Sequence, residues 1–408
     1  MNQDSIPEPV LIQHGTVIDG SGAAPVKADV RIRAGRISEI GPNLAPDGME
    51  TLDAAGCLVV PGLIDLHVHV FSGAGHWAID PEQAGLRAGV TTMLDTGTAG
   101  ALMYETFHRC VIPQAEEEVF ALINISLVGC LLGHPDREPI MGELNDDRYL
   151  HVPSVVECIE RFPDRALGVK VRLSSMLADG RRETEELALR RALEAAVQTG
   201  TFLMVHHTGS QVPTADMLDA LRPGDVVTHL YHRNADSAFE GETRAPSEAV
   251  RRARDRGVLL DVGHGVGSFD WDAAEPACRD HDFWPDTIST DVHAYNLNGP
   301  VHDMCTTMSK FLYLGMPLEG IIRASTQRPA EALGMADRLG TLLPDRQADI
   351  ALLKINDGAQ PLYDVLGASG EADRCIVPVS VFKRGVHHPC QEASIVPPSP
   401  ETWTPVSR

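Results

Sequence analysis

The sequence predicts an α/β chain, a closed (β/α)8 barrel carrying a small β-sandwich assembled from its two ends. Three observations predict it. Apolar, β-branched-rich runs recur eight times between Leu58 and His293, helical stretches separate them, and strand-rich segments flank the whole. Buried parallel strands alternating with helices make a parallel sheet, and eight of them suit closure into a barrel. A chain of 408 residues also suits one large domain with a satellite.

The elements follow in order. LIQHGTVIDG, ADVRIRAGRISEIG and TLDAAGCLVVPG alternate in short strands between turn signals, as in a small antiparallel sheet. ADIALLKI (348–355) and VPVSVFKRGV (377–386) return to that pattern, so residues 1–60 plus 341–390 are assigned to the sandwich. The barrel, residues 61–340, takes the runs LVVPGLIDLHVH, GVTTMLDTG, VFALINISLVG, LGVKVRLS, TFLMVHHTG, DVVTHLYHR, GVLLDVGHG and DTISTDVH. RRETEELALRRALEAAVQTG fits an amphipathic helix ending at Gly200, and SEAVRRARDRG fits another. An open doubly wound sheet is the weaker alternative, because no GxGxxG turn follows the first strand. Residues 391–408 read as a poorly ordered tail.

Composition narrows the function. Hydrophobic residues at 43% and charged residues at 22% fit a soluble globular protein. No apolar run approaches the roughly 18 residues of a membrane span. Met1–Val10 carries Asp4 and Glu8 but no Lys or Arg, which does not fit a signal peptide. Eight cysteines without a CxxC pair read as reduced thiols, so the expected compartment is the cytoplasm. A net charge of −23 argues against nucleic acid as a partner. An anionic substrate would then need a local positive site, which bound metal ions can supply.

Polar residues stand where the runs end. His67 and His69 close the first, Lys170 lies in the fourth, and His206 and His207 lie in the fifth. His229 ends the sixth, His264 follows the seventh, and Asp291 with His293 ends the eighth. In a parallel barrel these strand ends share one face, so residues remote in sequence converge. One such histidine is ordinarily a core residue; the set is not. Side chains two apart on a strand point the same way, so His67 and His69 can grip one metal. Imidazole and carboxylate donors suit Zn2+ and similar ions. Of the adjacent His206 and His207 only one can face the axis, and periodicity leaves open which.

PGLIDLHVH, VKVRLSS, MVHHTG, VTHLY, DVGHG and ISTDVH together resemble the amidohydrolase superfamily of the binuclear-metal type. GHGVGSF, DTISTDVH, GPVHDMCTTMSKFLYLGM and GTLLPDRQADIALL resemble its deacetylase-like branch. The resemblance spans nearly the whole chain and implies a TIM barrel with two divalent ions, expected to be Zn2+. It implies that His67, His69 and Asp291 hold the more buried ion and His206 and His229 the more exposed one. Lys170 would bridge them as an N6-carboxylated side chain. A metal-bridging hydroxide would attack an acyl carbon, with Asp291 as the catalytic proton shuttle. No GxSxG nucleophile elbow offers another route. The expected substrate is a small, carboxylate-bearing N-acyl amino acid or O-acyl hydroxy acid. The alternatives are a cyclic amide hydrolase of the dihydroorotase or hydantoinase kind and a catalytically silent metal-binding relative. The complete ligand set argues against the silent relative, and Lys170 against single-metal deaminases.

Substrate contacts follow from strand parity. Arg172 shares parity with Lys170 and could face a carboxylate. Tyr231 shares parity with His229 and could polarise a carbonyl. His264, in the GHGVG turn, is expected at the leaving part of the substrate, and His293 is expected to orient Asp291 or touch ligand. His76 and Trp77 could line the pocket mouth. A homo-oligomer is compatible with all of this.

Overall fold

The apolar run Leu58–His69 is continuous in sequence, yet Gly62 divides it between two sheets. A computed structural model describes residues 7–75, 77–130, 142–399 and 402–405. Leu58–Pro61 pairs antiparallel with Ile350–Leu353, whereas β1 (Leu63–Val68) pairs parallel with β2 (Val90–Gly100). A Cβ on Gly62 would stand 2.4 Å from Thr91 Oγ1, so glycine is what lets the chain cross there.

From β1 and β2 the sheet continues through β3 (Glu118–Asn124), β4 (Ala166–Leu173), β5 (Phe202–His207), β6 (Val226–Thr228) and β7 (Leu259–Leu260). Spatial order follows sequence order, and every pairing is parallel. Both β2 and β3 are buried throughout, which is why they read as near-continuous apolar runs. The eighth run forms no extended strand. Instead Thr287 bridges to Asp261 and Val292 to Val68, so residues 287–292 touch both edges of the sheet. Val262 N donates to Thr287 O at 3.1 Å, and Asp291 N donates to His67 O at 2.7 Å. The sheet therefore curls until one segment spans its edges. A left-handed φ of +50° at Asp291 is what interrupts regular pairing in that segment.

Between strands, α1 (Arg182–Thr199) ends on Gly200 at φ +66°, and α2 (Glu248–Arg256) ends on Gly257 at φ +97°. Glycine closes both helices because the left-handed cap costs it nothing. Ser247 caps the start of α2 by accepting from Val250 N, and Asp303 caps α3 (Met304–Leu314) by accepting from Thr306 N.

The satellite has two sheets. Val10–Gln13, Asp29–Arg33, Arg36–Gly41 and Glu50–Asp53 form one; the long hairpin of β8 (Ile350–Tyr363) and β9 (Ser369–Lys383) dominates the other. Val30, Ile32, Ile37, Val59, Ile350 and Phe382 form one buried cluster with residues from both. The hairpin runs well past the satellite: Leu362 O accepts from Trp271 Nε1 at 3.2 Å and Tyr363 O accepts from Lys310 Nζ at 2.7 Å. Within the stretch that composition reads as a loose tail, Trp403 is only 5% exposed. Its indole lies against Tyr363 and donates to Val396 O at 3.3 Å, so a single aromatic side chain anchors a segment of disorder-like composition. Among the described residues no helix is long and apolar enough to cross a membrane.

Candidate active site

At the carboxyl end of β1, alternation turns His67 and His69 to the same side. Their Nε2 atoms lie 3.4 and 3.1 Å from Asp291 Oδ1. Asp291 is held there by its own backbone: its N donates to His67 O, and its carbonyl accepts from Asn296 Nδ2 at 2.8 Å. Buried Asp65 fastens the same junction, accepting from His67 N, Thr290 N and Thr290 Oγ1. Burial pushes the Asp65 carboxyl up to about 7, against the pull of those donors.

Burial, reinforced by Lys170, drives His67 and His69 well below the ordinary imidazole range. Neutral imidazoles on Nε2 therefore face a carboxylate oxygen that, among the described residues, receives no hydrogen bond. A buried carboxylate oxygen that receives no hydrogen bond is costly unless a cation lies beside it. Ligand atoms bound tetrahedrally at about 2.0–2.1 Å from zinc would stand roughly 3.3 Å apart, which matches the two separations. The donor atoms of His67, His69 and Asp291 all lie within 4.8 Å of one another. These residues fit a metal.

The other candidate ligands surround this group. Lys170 on β4 is fully buried, with Nζ 3.3 Å from His67 Nε2 and 3.4 Å from Met204 Sδ. Desolvation lowers its amine to about 8, although Asp291 pulls the other way. Gly97 makes room for it, since a Cβ there would stand 2.7 Å from Lys170 Cβ. His206 is the penultimate residue of β5, edge-on to His229 with ring centres 4.3 Å apart. His229 lies just past β6 at φ +69°, donates from Nδ1 to Gly263 O at 2.6 Å, and leaves Nε2 buried with no hydrogen-bond partner among the described residues. All six residues taken as ligands thus converge on one end of the sheet.

The residues taken as substrate contacts divide. Arg172 pairs across β4 and β5 with His206, lies over the Trp77 ring, and donates to Glu143 Oε2 at 3.1 Å. It is near the cluster but already engaged. His293 packs beside Trp77 and His69, and its Nδ1 accepts from Tyr295 N at 3.2 Å. Trp77 stacks on His69 with ring centres 4.1 Å apart; His76 lies outside the described residues. His207 packs behind the strand, Nε2 donating to Val212 O at 2.9 Å.

Two expectations need correction. Tyr231 is fully buried among Phe239, Phe269 and Phe311 and donates to Phe283 O at 2.9 Å. Parity with His229 fails because β6 stops at Thr228 and the positive φ of His229 breaks the alternation. His264 is likewise fully buried, stacked on Phe269; its Nδ1 donates to Gly265 O at 2.9 Å and its Nε2 accepts from Lys310 Nζ. Both ring nitrogens are used within the protein, so it does not face a leaving group.

Sequence reasoning missed Thr98, Asp95, Thr228 and Asp261. Thr98 Oγ1 lies 2.7 Å from His69 Nδ1 and donates to Asp95; Thr228 Oγ1 lies 2.9 Å from His67 Nδ1 and donates to Asp261. A signal existed: polar residues at the ends of LDTGT and VVTH, on otherwise apolar runs. Glu143 and Lys310 had none, because one sits in a loop and the other on a helix.

The profile of the amidohydrolase family matches residues 58–377, and the chain belongs to that family. Within it the chain stands with the deacetylase-like branch. It is 32% identical to a deacetylase from Brucella anthropi, over 84% of this chain and 83% of that one. It is 31% identical to a deacetylase from Agrobacterium fabrum, over 88% and 86% of the two. Among solved structures, that of an adenine deaminase superposes with a TM-score of 0.83 at 29% identity, covering 93% of this chain and 99% of that one.

Proposed function

We propose that this chain is a binuclear metal-dependent deacetylase on a (β/α)8 TIM barrel (residues 61–340), with a β-sandwich formed by 1–60 plus 341–390. It hydrolyses the acyl amide or ester bond of a small carboxylate-bearing N-acyl amino acid or O-acyl hydroxy acid. The observation that carries the reading is Lys170, buried 3.3 Å from His67 Nε2 with no ion pair to any carboxylate among the described residues. A plain ammonium is a poor neighbour for two divalent cations. An N6-carboxylated lysine presents two anionic oxygens and can serve both. His67, His69 and Asp291 would then hold one zinc-like ion and His206 and His229 the other.

When bound, two divalent metals supply an activated water near neutral pH and polarise the acyl oxygen. The chain's own residues do the rest. Asp291 takes the proton of the attacking water and delivers it to the leaving nitrogen or oxygen as the C–N or C–O bond breaks. Its Oδ2 stays approachable because residue 265 is glycine; a Cβ there would stand 2.5 Å from that oxygen. Arg172, held in place by Glu143 and the Trp77 face, meets the substrate carboxylate with its remaining N–H groups. His293 and Trp77 shield His69 from bulk water.

The likeness to two deacetylases supports acyl transfer over the opening of a cyclic amide. The test is a screen of metal-reconstituted protein against N-acetyl D- and L-amino acids, O-acetyl hydroxy acids, dihydroorotate, hydantoin and adenine. Turnover should favour an acetylated acid. Preferred turnover of a ring amide or of adenine would overturn the reading.

A further inference from the structure

We propose that Thr98 and Thr228 are positioning residues that fix the tautomers of His69 and His67, each by committing its only hydroxyl proton to a buried aspartate. The proposal rests on the metal-binding reading above and says how the chain prepares that site.

Proton accounting carries the argument. Thr98 Oγ1 donates to Asp95 Oδ2 at 2.8 Å and lies 2.7 Å from His69 Nδ1. Asp95 accepts further N–H bonds, from Thr98 N on Oδ1 and from Val70 N on Oδ2, and so acts as an acceptor at both oxygens. A hydroxyl has one proton to give. With it spent on Asp95, Thr98 Oγ1 can only accept from His69, so Nδ1 carries the ring hydrogen. The lone pair is left on Nε2, the atom 3.1 Å from Asp291 Oδ1.

The second relay repeats the solution on another strand. Thr228 Oγ1 donates to Asp261 Oδ2 at 2.8 Å and lies 2.9 Å from His67 Nδ1. Asp261 also accepts the hydroxyls of Thr287 and Ser289, each at 2.6 Å. Its Oδ2 is 4.0 Å from His67 Nδ1, beyond hydrogen-bond range, so its influence reaches the ring through the threonine. His229 arrives at the same tautomer by simpler means, since Gly263 O can only accept. Three histidines from two strand ends are thus set with Nδ1–H outward and Nε2 inward. Partners of this kind hold ligand rings in orientation and raise their basicity.

The experiment begins on metal-free protein labelled with 15N in its histidine rings, at pH 8, with resonances assigned through His67→Gln and His69→Gln. Both rings should show a protonated Nδ1 and an unprotonated Nε2; the opposite tautomer in the parent overturns the proposal without any threonine variant. Zinc affinity is then measured by chelator competition. Thr98→Val keeps the shape and removes the hydroxyl, and should lose about 10- to 100-fold in affinity; Thr98→Ser should recover to within a few-fold of the parent. Undiminished affinity and an unchanged His69 tautomer in Thr98→Val would overturn the relay. A parent that binds no zinc defeats the metal reading instead, while the tautomer measurement still decides the relay.

Discussion

Asp291 shows how much one side chain can be asked to do. Its Oδ1 faces the Nε2 atoms of two imidazoles, and its Oδ2 lies beside a glycine that leaves it open. Ligand and proton carrier are separable roles. Asp291→Asn keeps one oxygen ligand and loses the base, so the variant should retain metal in part while kcat falls roughly 10²-fold or more. Metal content and turnover on one preparation decide it; full metal with near-parental turnover would make Asp291 a ligand only. Lys170 offers a second separation. Lys170→Ala opens space beside His67, and activity should collapse, with acetate or propionate restoring part of it by standing in for the carbamate oxygens. A failure of any short carboxylate to rescue, with the fold intact by circular dichroism, counts against the bridge.

At the scale of elements, the GHG turn after β7 matters more than its length suggests. A Cβ on Gly263 would stand 2.0 Å from Thr228 Oγ1 and 3.0 Å from His229 Nδ1, at a φ of +46° that side chains rarely adopt. Gly267, three residues after His264, has nothing within 4 Å of such a Cβ. Gly263→Ala should therefore lower both thermal stability and zinc uptake, whereas Gly267→Ala should leave both near parental. Equal behaviour of the two would mean the turn merely connects. These elements also show what was legible in the sequence. Period-2 patterning and strand-end polar residues singled out His67, His69, Lys170, His229 and Asp291, because those residues obey strand geometry or stand directly where it stops, whereas His206 is preferred to His207 only by the family resemblance. Parity failed at Tyr231 because the strand ended sooner than its apolar run. The place of His264 in its glycine-rich turn gave no sign that a buried lysine from α3, remote in sequence, claims the ring. Contacts set by tertiary packing leave no periodic trace.

For the molecule as a whole, the buried titratable groups set a direction for acid stability. Burial lowers His67, His69, His206 and His264 far below their ordinary range, His229 to about 3, and His232 and His302 to about 4. Below about 6.5 the unfolded chain binds protons at these positions and the folded chain does not, so stability is lost as pH falls. Burial raises Asp65 to about 7 and Asp95 and Asp270 to about 6, which works the other way: the folded chain takes up those protons first. Burial raises Glu185, Asp261 and Asp303 as well, and the seven histidines still outnumber these six carboxylates, so the melting temperature of metal-free protein should fall between pH 7 and pH 5. A flat or rising profile would contradict this balance. Finally, Leu58–Pro61 has as its antiparallel partner a strand that begins at Ile350. During translation at about 5–20 residues per second, that apolar segment leaves the ribosome roughly 15–60 s before its partner exists. The barrel is thus synthesised inside an open clasp, and a nascent chain halted before residue 350 should be cut by protease near 58–61. Chains long enough to expose β8 should lose that sensitivity; early protection would mean that something else, such as a trigger-type chaperone, guards the strand while it waits.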